Sequence, residues 1–138
     1  METSSLKHNK ATQNRPDGAR ILDAPTLRLN IRDAIGTILS EKAWLEGDRN
    51  AITLLHSNTQ RIVLVVIREG SELVHKAMEA ALSVQLLRGR LWIETEEQSF
   101  SLDEEEIAAI QPRLHHYIFA EEESVFLLTF SGNNKGEF

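Results

Sequence analysis

The hydrophobic period of the chain changes once, near Arg49, from a helical spacing to a strand spacing. In "NIRDAIGTILSEKAW", Ile31, Ala34, Ile35, Ile38 and Leu39 recur at intervals that place side chains on one stripe of a helix. Asn30 stands where a side-chain oxygen caps the first turn, and Asp33 sets a carboxylate near the positive end of the helix dipole. Gly36 costs such a helix about 1 kcal/mol relative to alanine, so packing must hold it. Gly47 marks its latest stop, which makes Trp44 and Leu45 apolar anchors against the rest of the chain.

Beyond Arg49 the runs are short. "AITLLHS", "RIVLVVIR", "LSVQLLR", "RLWIET", "QSFSL", "IAAIQ", "HYIFA" and "SVFLLTF" are rich in Val, Ile, Leu and Phe. "NTQ", "EGSE", "RG", "EE" and "EEES" separate them with turn-forming or charged residues. This succession predicts an all-β antiparallel sandwich or small barrel. "LRGRLWI" predicts a hairpin with Gly89 at its tip, where positive φ costs least. By strand parity Val84 and Leu86 share one face, and Ser83 and Gln85 the other. The chain therefore divides into a polar, disordered leader over 1–19, an arm and helix over 20–48, a barrel over 49–132 and a polar tail over 133–138.

Composition narrows the partners. A chain of 138 residues fits one domain. A net charge of −6 offers no basic face for a phosphate backbone or an anionic bilayer, so neither nucleic acid nor membrane is an expected partner. The absence of cysteine excludes disulfides, thiolate metal sites and cysteine nucleophiles, and suits a cytoplasmic protein. No apolar run approaches the roughly 20 residues that span a bilayer, and "METSSLKHNKATQNRPDGAR" has no signal-peptide core. Phosphate loops and nucleophile elbows are missing from the sequence.

The remaining candidates for chemistry are histidines: His56, His75, His115 and His116. From about Ala51 to Phe130 the chain resembles the cupin superfamily, with both family motifs in degraded form. Placing the first motif's last glycine on Gly89 puts its glutamate on Leu82, its second histidine on Ala77 and its first on His75. Gly70 then sits one residue nearer His75 than the motif asks. In "IQPRLHHYIFA" a proline turn precedes His116 at the second motif's histidine, while Ala120 takes the asparagine position. The resemblance implies a double-stranded β-helix, the cupin jelly-roll barrel, with one N-terminal amphipathic helix. It also implies pairing into a homodimer.

In that barrel the first-motif ligands point inward, so Leu82 shares its face with Val84 and Leu86. Hydrocarbon then stands where a carboxylate and an imidazole belong. Three protein ligands are the usual minimum for a catalytic cation, and His75 with His116 fall short of it. No catalytic residue, metal or other cofactor is therefore expected. The implied site is a small-molecule pocket lined by His75, Ala77, Leu82, Val84, Leu86, Leu114, His116 and Ile118. The alternative is a metal-dependent cupin enzyme, of dioxygenase or isomerase type. It would hold a divalent ion on His75 and His116 and draw Glu72, Glu79 or water into the set, although both carboxylates flank His75 on turn-like segments. Tyr117 adjoins His116 but faces away by parity, which leaves no tyrosine–histidine acid/base pair.

Overall fold

The strand Gln60–Ile67 is apolar on both faces from Ile62 onward, and the architecture follows from that need for cover on two sides. The computed structural model describes residues 7–8, 20–75 and 78–132, with strand placement alone for Lys7, His8 and His75. In chain order the elements are β1 (Lys7–His8), β2 (Ile21–Asp23), α1 (Ile31–Ser40), α2 (Lys42–Leu45), β3 (Arg49–His56) and β4 (Gln60–Ile67). There follow β5 (Glu72–His75), β6 (Ala81–Arg88), β7 (Leu91–Thr95), β8 (Ser99–Leu102), β9 (Ile107–Ile110), β10 (His116–Ala120) and β11 (Ser124–Ser131). A five-stranded antiparallel sheet runs β3-β4-β11-β6-β9, and a four-stranded sheet runs β5-β10-β7-β8. β1 pairs with β2. The leader expected over 1–19 otherwise lies outside the described residues, as does the tail over 133–138. Among the described residues no helix is long and apolar enough to cross a membrane.

The inner faces of the two sheets meet in one core. Val63, Val65 and Ile67 of β4, Leu82, Val84 and Leu86 of β6, and Phe126, Leu128 and Phe130 of β11 pack against Leu91, Ile93, Ile118 and Ala120 opposite. On the outer face, Leu64, Val66, Ile52, Leu54 and Val125 pack against Ala34, Ile35 and Ile38 of α1 and against Trp44. β4 thus reads as an apolar run because both of its faces are covered over Val63–Ile67, whereas β6 alternates. Each fully buried Leu, Ile or Phe stabilises the fold by roughly 1.5–3 kcal/mol, so both layers matter.

α1 begins as expected, with the Asn30 Oδ1 accepting from the Asp33 amide at 2.9 Å. It ends sooner. Glu41 is extended, and α2 restarts as a single turn. The Asn50 side-chain amide donates to the Ile38 carbonyl and to Glu41 Oε1, both at 2.9 Å, which ties the helix end to β3. One turn has one buried side, so Trp44 is buried while Leu45 is 64% exposed and is not an anchor.

Two further expectations need correction. The segment Glu72–His75 is a strand rather than a turn, paired with β10. Its run is too short and too charged to reveal itself, and Val74 faces outward at 65% exposure. The step through Gly89 is not a hairpin, because β6 pairs with β11 and β9 while β7 pairs with β10 and β8. The chain crosses there from one sheet to the other. Gly89 has φ +94°, and its backbone lies against the Glu123 carbonyl and Ser124, so a Cβ would collide with both. The Ser124 hydroxyl, fully buried, fixes the corner by accepting from the Arg90 amide at 3.1 Å. Gly89→Ala is expected to destabilise the fold by at least about 2 kcal/mol, read as a lower midpoint in urea unfolding, because backbone strain and a clash coincide. A midpoint unchanged from the parent would contradict this account of the corner.

Candidate functional site

β5 and β10 lie side by side, and their register pairs His116 with His75 and Ile118 with Leu73. On its other side β10 pairs with β7, setting His116 across from Thr95. His116 is 4% exposed, with Nδ1 at 3.4 Å from the Leu114 carbonyl oxygen. Burial pushes its imidazole below the ordinary value of 6.5; the Leu114 carbonyl opposes that shift and the neighbouring His115 adds to it. The neutral ring is the favoured form.

The other expected site residues converge on this inner face. Leu82 is the register partner of Phe130 on β11 and of Ile110 on β9. Val84, Leu86 and Ile118 are fully buried in the same cluster, and Leu114 packs against it. Ala77 lies outside the described residues, and of His75 only the strand position is described. The carboxylates that could complete a cation site are engaged at the surface. Glu72 accepts from the Tyr117 hydroxyl at 2.7 Å, a bond that raises the phenol above its ordinary value. Glu79 pairs with Arg113 Nη1 at 2.7 Å.

Among the described residues no group of three or more His, Asp or Glu gathers where it could hold a metal ion. Leu82, 3% exposed, puts hydrocarbon at the position that the resemblance assigns to a carboxylate ligand. His115 is exposed and donates its backbone amide to Glu96 Oε1 at 2.9 Å.

Beside this row the sandwich is open. Between the edge strands β3 and β5, a cavity of about 400 Å³ reaches the inner face. Val63 and Val65 of β4 and Leu128 and Phe130 of β11 form its floor, and Leu73 of β5 closes one side. Arg49, Asn50 and Ala51 of β3 and Arg61 of β4 supply the remaining walls. The floor continues the expected site, since Leu128 is the register partner of Val84 and Phe130 that of Leu82. Sequence reasoning did not reach these residues. A signal existed in "RIVLVVIR": Arg61 has the parity of Val63 and Val65, which places a cation on an inward-facing row. A smaller cleft of about 280 Å³ borders His116 from outside, with Glu94, Glu96 and Tyr117 on its walls.

Two antiparallel sheets in this strand order, closed on a shared apolar interior, form a double-stranded β-helix, the fold of solved cupin proteins. No family model matches the sequence, and no curated protein matches it either. Among solved structures the chain is similar to a conserved protein of unknown function from Streptococcus pyogenes, at TM-score 0.60 and 18% identity over 64% of this chain and 78% of that one. It is similar to a cupin superfamily protein from Desulfitobacterium hafniense, at TM-score 0.59 and 17% identity over 62% and 79%. KdgF from Halomonas sp. is comparable, at TM-score 0.59 and 17% identity over 68% and 89%. Likeness at such identities is one of fold, and function rests on the side chains.

The buried imidazole generates a pH dependence. His116 is held below 6.5 in the folded protein, so the unfolded chain takes up this proton first as pH falls. Stability is then complete above about pH 6.5 and declines as pH drops from there toward the folded value. Melting temperatures taken from about pH 7.5 to about pH 5.5 are expected to fall more steeply for the parent than for His116→Gln. Parallel slopes would refute a neutral, desolvated His116.

Proposed function

We propose that the protein binds a compact, largely apolar ligand in the cavity between β3 and β5, without redox or hydrolytic chemistry. The observation that carries this reading is the contrast along one inner face. At the position of the family's carboxylate ligand stands Leu82, buried in the core, while the neighbouring rows open into about 400 Å³ of mostly apolar space. That volume lies in the range of small-molecule sites, which combine an apolar lining with a few polar groups that fix orientation. His116, buried on β10, does not line this cavity and borders the smaller cleft instead.

One observation favours a second reading. His75 and His116 are register partners, so a cation centre could start from that pair and recruit Glu72 or Glu79. Melting curves with divalent ions separate the two. Millimolar Mn²⁺, Fe²⁺, Ni²⁺ or Zn²⁺ is expected to leave the melting temperature of the tag-free protein unchanged. A specific site at a hundredfold excess over its dissociation constant would add about 2.7 kcal/mol, a rise of several degrees. Such a rise, abolished in both His75→Ala and His116→Ala, would replace ligand binding with the metal-dependent enzyme.

A further inference from the structure

Arg61 is the unusual group in this cavity. It stands on β4 across from Phe130 of β11 and His56 of β3, on the inward row of Val63 and Val65. Its guanidinium carbon lies 6.0 Å from the centroid of the Phe130 ring. Its Nε is buried and has no hydrogen-bond partner among the described residues. Burial lowers its pKa, yet a guanidinium keeps its charge in proteins.

Other arginines of the barrel differ. Arg49, on the wall of the same cavity, gives Nε and Nη2 to the Asp48 carboxylate at 3.2 and 3.1 Å. Arg68 pairs with Glu123, Arg90 with Asp103 and Arg113 with Glu79. No ion pair of this kind involves Arg61 among the described residues. A buried donor with nothing to donate to is rare in a native protein, and a charged one more so.

We propose that the cavity holds a small organic acid, with the Arg61 guanidinium taking its carboxylate and the floor of Val63, Val65, Leu128 and Phe130 taking its apolar body. This rests on the ligand-binding reading above and adds the chemical class of the ligand. A planar carboxylate matches the planar fork of donors, which a point charge or a neutral amide does not. The charge count selects a monocarboxylate over a phosphate ester. Arg49 is already neutralised by Asp48, so a second negative charge would face hydrocarbon without a partner.

Isothermal titration of the full-length protein with benzoate and hexanoate, beside benzamide and hexanamide, tests this directly. Methyl NMR shifts at Val63, Val65 and Leu128 locate the bound molecule. The acids are expected to bind at least about tenfold more tightly than the amides, the effect of a charge-assisted hydrogen bond. Arg61→Gln is expected to erase that preference, and Arg61→Lys to retain part of it. Equal binding of acids and amides at these methyls would overturn the anion assignment and leave the pocket standing. Binding of neither, or shifts confined to other methyls, would overturn the assignment and the pocket together. Should Arg61→Gln fail to fold by circular dichroism, the acid-to-amide ratio in the parent and in Arg61→Lys decides the matter.

Discussion

Strand β4 of the five-stranded sheet is buried on both faces over Val63–Ile67, and it has to satisfy two cores at once. Along β4, Val63, Val65 and Ile67 face the opposing sheet while Leu64 and Val66 face α1. A slip of one residue in the pairing of β4 with β11 would exchange these sets and move Arg61 from the interior row to the helix side. Register is therefore strongly specified here. The positions of Leu82, Phe130 and Arg61 follow from it, because all three sit on one row across β6, β11 and β4.

That constraint links core to function. Filling the inner face of β6 with Leu82, Val84 and Leu86 stabilises the sandwich and makes the floor beside the cavity apolar. At the β3–β5 edge the sheets part, and the interior row ends in a charged group rather than a methyl. An apolar floor thus lies beside a half-buried cation.

Much of the fold was legible because strands buried on one or both faces leave period-two or continuous apolar runs. The β4, β6 and β11 runs are all of this kind. β5 was not legible, since its four residues include a glutamate, an outward valine and a histidine. The Gly89 step was misread for a different reason. A glycine between two apolar runs fixes a sharp change of direction, and it does not say whether the second strand pairs with the first or enters the facing sheet. At the site, the inward row of Leu82, Val84 and Leu86 could be read from parity, but the open cavity could not. Locally Arg61 is indistinguishable from a solvent-facing charge at a strand end; only Phe130, brought across from β11, makes it an interior group.

Elemental analysis by inductively coupled plasma mass spectrometry, on tag-free protein purified without added metal or chelator, addresses the central claim most directly. Hydrocarbon at the coordinating positions predicts Fe, Mn, Ni and Zn all far below one atom per chain. A stoichiometric content of any one of them, lost on replacing His116, would contradict it and place the chemistry at the histidine row.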